Sequence, residues 1–300
     1  MSFTDILLAI LCNVLWGTAI PFIKIGTKAL EIPAGVENQF FFAGLRFFLS
    51  GVMLFIYSLL KEKKMPTIKK ENRARVFKIM MLGTALQYGL MYMGLVNTKS
   101  ADGNIFTSIG GFLTVLIAPL FFKDDKYTIK KLLGAALGFT GVLIVSIKGT
   151  GIHIALNGEF LLILSSLCFV LSSFATKKLN GDETGLNITA YNLLIGGLIL
   201  LLIGLFTGGH FGRINAKGIC ALLYLALLSA MAFTIWAELL KRHKASTLGV
   251  FNLVNPIVGT ILAALVVGED LNIAKYALSL SLVSAGIIII NRQSQECKNS

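Results

Sequence analysis

The chain has 300 residues, of which 55% are hydrophobic and only 14% charged, and its Lys and Arg residues exceed its Asp and Glu residues by 27 to 15. A soluble protein averages about 25% charged residues, and a soluble core cannot hide this much apolar surface. The composition excludes a soluble enzyme, a nucleic-acid-binding protein and a disordered chain. It indicates an integral membrane protein whose first partner is the lipid bilayer, with no nucleic acid.

Ten segments of the chain are long and apolar enough to predict transmembrane helices, which need about 20 such residues. The predicted fold class is therefore an all-α integral membrane protein with ten transmembrane helices. The predicted spans are 6–25, 39–60, 77–96, 103–122, 132–147, 159–176, 187–207, 218–240, 249–267 and 276–291.

Basic residues predict the orientation of these spans. Loops 61–76, 123–131, 177–186 and 241–248 and the tail after Asn291 carry about 19 of the 27 Lys and Arg residues, and the opposite loops carry about 6. Short basic loops stay in the cytoplasm. Both termini are therefore predicted to be cytoplasmic, in the plasma membrane of a bacterium.

The two halves of the sequence repeat each other. At a shift of 145 residues, segment 99–148 matches segment 244–293 without a gap, so that Phe106 meets Phe251 and Gly141 meets Gly286. A shift near 154 places Asp5 over Glu159 more weakly. We therefore predict two five-helix repeats, 1–150 and 151–300. Because five is odd, the second repeat crosses in the opposite sense, which is an inverted arrangement typical of secondary transporters, with the substrate between the halves.

Several motifs carry a family resemblance. The first half begins with LWGTAIPFIK (15–24) and FFFAGLRFFLSGVM (40–53), and both halves close with similar segments, 100–145 and 245–290. The chain resembles EamA-type transporters of the drug/metabolite transporter superfamily. The second copy keeps the family's Pro256 and the pair Gly268-Glu269, whereas the first has Gly111 and Lys123-Asp124 there. The resemblance implies a central cavity and a substrate such as an amino acid, another metabolite or a nucleotide derivative.

Polar residues inside the spans are the candidate site, because a polar side chain in hydrocarbon needs a partner or a wet cavity. Asn104, Thr107, Ser108 and Gly111 share one helix face by their spacing. Interhelical hydrogen bonding and ordinary packing are the alternative account for any single residue. The candidate substrate-binding residues are Asn13, Trp16, Thr84, Gln87, Tyr88, Asn104, Thr107, Ser108, Ser229, Phe233, Trp236, Asn252 and Asn255, and the sixth span adds Ser166, Phe169 and Ser173.

Three charged residues inside or at the ends of spans are candidate charge partners: Arg46, Lys24 and Glu238. Arg46 could hold a substrate carboxylate. A structural role is favoured, with the side chain snorkelling or paired with Asp102 or Glu37. Glu238 is expected to pair with Arg242 four residues on, and a proton-coupling role is the alternative.

Four residues are candidate helix breaks or hinges for a rocking motion: Gly17, Pro21, Gly111 and Pro256. Proline removes a backbone donor and can kink a helix.

Motifs for catalysis and ATP hydrolysis are absent from the sequence. Four scattered cysteines and three loop histidines (His153, His210, His243) predict no disulfide, no metal site and no cofactor. We expect a non-enzymatic secondary transporter for a small organic metabolite, most simply an amino acid or related amine, exported by alternating access. A nucleotide-linked carrier and a lipid-handling or sensory protein without turnover are the alternatives, and both a monomer and a homodimer remain open.

Overall fold

The computed structural model describes residues 1–123, 127–148, 151–152, 154–179, 183–243, 245–269 and 271–299. Nearly all of them are helical. The helices are α1 Phe3–Ala29, α2 Val36–Glu62, α3 Lys70–Val96, α4 Ser100–Phe121, α5 Ile129–Ser146, α6 Glu159–Lys177, α7 Gly185–Phe206, α8 Ala216–Arg242, α9 (245–267) and α10 Ile273–Asn299. Between α5 and α6, the two-residue strands β1 Ile147–Lys148 and β2 Gly151–Ile152 pair antiparallel.

Two of these helices are not regular throughout. Helix α3 consists of the 3₁₀ turn Lys70–Asn72, the α-helical turns Arg73–Met80, the π turn Met81–Leu86 and the α-helical turns Gln87–Val96. Helix α9 contains the α-helical turn Ala245–Leu248, the 3₁₀ turn Gly249–Leu253, the α-helical turns Val254–Leu262 and the π turn Ala263–Val267.

Within the described part of the chain, seven helices, α1 to α4 and α6 to α8, are long and apolar enough to cross a membrane, and α9 and α10 contain shorter apolar stretches. The chain is thus a helical integral membrane protein. Of the ten described helices, nine begin before the predicted start of their span and five end beyond its predicted end, as α10 does at Asn299. A polar residue ends a hydrophobic run but does not end the backbone hydrogen bonding of a helix.

Local sequence explains where several helices begin. Ser2 and Asp5 form a reciprocal capping box at the start of α1. Thr184 accepts a hydrogen bond from the backbone N–H of Asn187 at the start of α7, and Asn215 accepts one from that of Gly218 at the start of α8. These side chains satisfy donors that a helix leaves unpaired at its first turn.

Glycines bring the backbones of several helix pairs together, among them α2 with α7 and α5 with α10. A Cβ atom on Gly44 of α2 would lie 2.1 Å from the backbone nitrogen of Leu201 on α7. A Cβ atom on Gly141 of α5 would lie 2.8 Å from the carbonyl oxygen of Ser279 on α10. Glycine is therefore required for the close approach of each pair.

The remaining helices form the centre of the bundle. Helix α1 packs against α8 and α9, α4 packs against α6 and α9, and α3 packs against α6. Their polar faces meet inside the bundle, and the candidate site lies there.

Candidate binding cavity

A cavity of about 80 Å³ lies where α1, α3, α4, α6 and α9 meet. It is large enough for a few water molecules. Within the described part of the chain, its lining consists of apolar, hydroxyl and amide side chains with no charged one. The lining residues are Trp16, Ala19, Ile20, Gln87, Tyr88, Met91, Thr107, Ser108, Gly110, Gly111, Ser165, Ser166, Phe169, Asn252 and Asn255.

Irregular backbone positions two of the polar groups in this lining. Gln87 directly follows the π turn of α3, and Asn252 lies in the 3₁₀ turn of α9. Both kinds of turn rotate the following side chains relative to a regular α-helix, and both often occur at functional sites. The interrupted backbone therefore directs polar side chains of α3 and α9 toward the same space.

A second cavity of about 30 Å³ lies beside the first. Gln87 and Phe169 line both cavities. The second is also lined by Ser173, by Thr176 near the end of α6 and by Leu240 near the end of α8, which lead into the basic loops 177–186 and 241–248. The two cavities together extend from the centre of the bundle toward its basic end.

A cluster of aromatic side chains lies between the two cavities and lines both of them. The Trp16 ring lies edge-on to Phe169, Phe233 and Trp236, at centroid distances of 5.7, 5.5 and 5.1 Å. Tyr88 extends the cluster with a centroid distance of 6.1 Å to Phe233. These distances are typical of favourable edge-to-face pairs, so the cluster forms a rigid apolar wall.

Among the residues that the structure describes, several buried polar atoms around the cavities have no hydrogen-bond partner. They are the indole Nε1 of Trp16 and of Trp236, Gln87 Oε1 and Asn255 Oδ1. An unpaired buried polar group costs about 1–3 kcal/mol. A cluster of such atoms around one space indicates groups that a ligand or water would satisfy.

Three hydroxyl groups of the lining, those of Thr107, Ser108 and Ser166, donate to backbone carbonyl oxygens of their own helix or its neighbour. Ser108 donates to the carbonyl oxygen of Ile105 at 2.6 Å, and Thr107 donates to that of Gly103 at 2.9 Å. Because its hydrogen is already donated to a carbonyl oxygen, each of these hydroxyl oxygens can only accept hydrogen bonds from a ligand.

Four predicted binding residues line neither cavity and make contacts between or within helices. Asn13 and Asn104 donate to carbonyl oxygens one turn earlier, Thr84 donates to Asn192 Oδ1 at 2.9 Å, and Ser229 accepts hydrogen bonds from Arg46. The other nine predicted residues line at least one cavity: Trp16, Gln87, Tyr88, Thr107, Ser108, Phe233, Trp236, Asn252 and Asn255. That any of them binds a substrate stays a prediction.

Arg46 is fully buried, so the snorkelling that the sequence suggested is wrong. The suggested partners Asp102 and Glu37 are also wrong, because the hydrogen bonds of Arg46 go to other groups. Arg46 donates instead to Ser229 Oγ, the Tyr92 hydroxyl and the Leu225 carbonyl oxygen. Hydropathy places an arginine at the membrane surface, and it cannot show that α8 offers a polar partner inside the bundle.

The other two charged candidates lie at helix ends. Lys24 donates to the carbonyl oxygen of Leu95. Glu238 lies 4.0 Å from Arg242, which confirms the predicted pair four residues apart, and it also accepts a hydrogen bond from the backbone N–H of Gly185. Glu238 thereby ties α8 to the start of α7.

The four predicted hinge residues have different surroundings. A Cβ atom on Gly17 would lie 2.8 Å from the carbonyl oxygen of Asn255, whereas one on Gly111 would meet nothing closer than 3.6 Å. Pro21 lies within α1 and Pro256 within α9, and both are buried. Gly17 is thus required for close packing, and a hinge role for any of the four stays a prediction.

Sequence reasoning missed several residues near the cavities. Ser165 lines the first cavity, and Asn192 and Thr189 line the second. A signal was available for Asn192, an isolated amide in the very apolar helix α7. Within the described residues, no group of three or more His, Cys, Asp or Glu side chains could hold a metal ion. His153 lies outside those residues.

Comparisons with known proteins give a consistent result. The model of the EamA-like transporter family matches residues 4–147 and again residues 156–292. The uncharacterized transporter YvbV of Bacillus subtilis (strain 168) is 27% identical over 300 residues, covering 98% of this chain and 93% of the relative. A Salmonella typhimurium protein named "Probable amino-acid metabolite efflux pump" is 26% identical, with 96% and 95% covered.

Two further comparisons concern the membrane and the fold. The uncharacterized inner membrane transporter YedA of Escherichia coli (strain K12) is 22% identical, with 92% of this chain and 87% of the relative covered. One protein crystal structure superposes with a TM-score of 0.73 at 16% identity, covering 99% of both chains. The relatives are named as transporters, and the structural match shows the fold.

Proposed function

Because the chain belongs to the EamA-like transporter family, we propose that it is a secondary transporter for a small organic metabolite, an amino acid or a related amine. The proposed mechanism is alternating access in the plasma membrane of a bacterium, with both termini in the cytoplasm and with export as the direction. The observation that carries it is the central cavity, where polar atoms from both halves of the chain lack partners.

We further propose that residues 1–150 and 151–300 form two inverted repeats of five transmembrane helices each. Exchanged contacts between α2 and α7 support this. Gly44 contacts Leu201. Gly197, which lies 153 positions after Gly44, contacts Phe48, which lies 153 positions before Leu201. Gly51 with Leu194 and Gly204 with Phe41 repeat the same relation.

Contacts between α5 and α10 obey the relation at 145 positions. Gly141 meets Ser279, and its counterpart Gly286 meets Gly134, the counterpart of Ser279. A two-fold axis between the halves would exchange each contact with its mate. The two separate matches of the family model support the same division.

The repeats also explain the position of the cavity. Gln87 and Thr107 come from the first half, and Ser166 and Asn252 come from the second. In inverted-repeat transporters, the site lies between the repeats so that rocking of one against the other exposes it to each side in turn. The Salmonella relative, named "Probable amino-acid metabolite efflux pump", supports the substrate class and the direction.

The substrate class is tested first by binding to the purified protein. The melting temperature is measured in detergent with the twenty L-amino acids, their decarboxylated amines, a set of nucleotides and anionic phospholipids. A ligand at tenfold excess over its Kd stabilises the folded state by about 1.4 kcal/mol. We expect a few related amino acids or amines to raise the melting temperature, whereas stabilisation by nucleotides or lipids alone would contradict the proposed substrate.

Turnover is tested by counterflow in liposomes. Unlabelled ligand inside the vesicle should accelerate the uptake of radiolabelled ligand from outside, because an alternating-access carrier exchanges one for the other. Vesicles without protein and vesicles preloaded with an amino acid that does not bind are the controls. Binding without any acceleration would indicate a sensor rather than a transporter.

A further inference from the structure

Arg46 is a buried cation with only neutral partners. Its Nε and Nη2 atoms donate to Ser229 Oγ at 3.2 and 2.9 Å, Nη1 donates to the Tyr92 hydroxyl at 3.1 Å, and Nε also reaches the Leu225 carbonyl oxygen at 3.3 Å. Among the residues that the structure describes, no Asp or Glu oxygen lies within 4.0 Å of it. A charged residue inside a membrane bundle is costly, and it generally has a counter-charge or a functional role.

The charge of Arg46 lies directly behind one wall of the central cavity. Its Cζ atom is 5.8 Å from the centroid of the Tyr88 ring and 4.6 Å from that of Phe47. Tyr88 lines the first cavity. In the low dielectric of a helix bundle, a charge acts over such distances far more strongly than in water.

Two indole groups of the cavity linings have a hydrogen-bond donor without a partner among the described residues. The Nε1 atoms of Trp16 and Trp236 are buried and unpartnered, and Trp236 is only 5% exposed. An indole N–H can only donate, so the ligand group that satisfies it must be an acceptor. Trp16 lines the first cavity and Trp236 the second, with their rings 5.1 Å apart.

We propose that the transported substrate carries a carboxylate, and that Arg46 is the residue that selects it. The carboxylate accepts a hydrogen bond from an indole N–H, and the positive charge of Arg46 stabilises it across Tyr88. The amide oxygens of Gln87 and Asn255 lack hydrogen-bond donors, and they accept hydrogen bonds from the ammonium group of the substrate. This rests on the proposed function, and it decides between its two substrate classes in favour of the amino acid over the amine.

The test compares ligands that differ only in this charge. Kd values are measured by calorimetry for three matched pairs: leucine and leucinamide, phenylalanine and phenylalaninamide, and threonine and threoninamide. Each amide keeps the ammonium group and the side chain. Since hydrogen bonds with a charged partner are about twice as strong as neutral ones, we expect wild-type protein to bind the acid of a recognised pair about tenfold more tightly.

Variants assign the preference to Arg46. In Arg46→Gln, the ratio of the Kd of the amide to the Kd of the amino acid should fall to about twofold or less. In Arg46→Lys, which keeps the charge, most of this ratio should remain. The matched control is Arg213→Gln, which removes an exposed arginine from a loop and should leave the ratio unchanged. If Arg46→Gln does not fold, the wild-type ratios still decide whether the carboxylate is recognised.

The outcomes separate this proposal from the transport proposal. Equal binding of acid and amide by wild-type protein would overturn the role of Arg46 and leave amine transport standing. A tenfold ratio that persists in Arg46→Gln would also overturn it. Binding of neither member of any pair, with the counterflow assay also negative, would overturn the proposed function itself.

Discussion

The helices pack in opposite ways in two regions of the bundle: at the contact between α2 and α7, which we call the seam, and around the central cavity. Along the seam, glycines let two backbones touch, so that Cβ atoms on Gly51 and Gly204 would lie 2.5 and 2.4 Å from backbone atoms of the facing helix. In the cavity, the helices stay apart and polar atoms are left without partners.

The difference separates residues that hold the bundle together from residues that are available for a ligand. Close packing with satisfied backbone groups stabilises the fold directly. An unsatisfied amide or indole destabilises it until something binds. Substitutions at the seam should therefore change the stability of the protein, and substitutions at the cavity should change ligand binding.

The largest effect is expected at the seam. In Gly44→Ala, the new methyl group would lie 2.1 Å from the backbone nitrogen of Leu201, an atom that cannot move aside. Overpacking of this kind costs about 3 kcal/mol or more, and we expect most of the protein to be lost as aggregate. The measurement is the monodisperse fraction on size-exclusion chromatography together with the melting temperature.

Gly89→Ala is the matched control, because its methyl group would meet nothing closer than a Leu200 side-chain atom at 3.6 Å. Alanine is a better helix former than glycine by about 1 kcal/mol, so this variant should be as stable as wild type or more so. Equal losses of monodisperse protein in both variants would show that the close contact of α2 with α7 is not the reason why position 44 requires glycine.

An intermediate effect is expected where α1 crosses α9. Gly17→Ala would bring its methyl group to 2.8 Å from both the Asn255 carbonyl oxygen and Val258 Cβ, and it should destabilise the protein by about 1–3 kcal/mol. Gly111→Ala has room, so its melting temperature should not fall. Thermal unfolding and counterflow are measured on both.

The same pair sharpens the hinge hypothesis. If Gly111 serves as a bend during rocking, Gly111→Ala should slow exchange while its melting temperature stays at or above that of wild type. Normal exchange by this variant would assign Gly111 to packing alone. Normal stability of Gly17→Ala would contradict the close contact of α1 with α9.

Sequence reasoning predicted the helices and much of the candidate site for a physical reason. Hydropathy reports which segments avoid water, and spacing at 3.6 residues per turn places Thr107 and Ser108 on one face. Nine of the thirteen predicted side chains line a cavity because polar residues inside an apolar span have few other places to go.

The rest depended on facts that a sequence pattern does not contain. The π turn before Gln87 has the composition of any apolar helix, so periodicity gives no sign of it. Thr84 could not be told from Gln87, because its satisfaction depends on an asparagine 108 residues away on another helix. The burial of Arg46 likewise depends on the serine that α8 brings to it.

Thr84 and Gln87 lie on one helix, and together they test the division between residues that hold the bundle together and residues that are available for a ligand. Gln87→Met removes a buried amide oxygen that has no partner, so we expect stability to rise by up to about 1 kcal/mol. Binding of the recognised amino acid should weaken about tenfold, equivalent to about 1.4 kcal/mol. Thr84→Val should lower stability and leave binding unchanged. It leaves the Oδ1 atom of Asn192 unpaired, which costs about 1–3 kcal/mol in stability. Because neither Thr84 nor Asn192 lines the first cavity, the Kd should stay within about twofold. Melting temperature and calorimetric Kd on both variants form a crossed pair. If both quantities move in the same direction in both variants, unpaired polar atoms do not mark the site in this bundle.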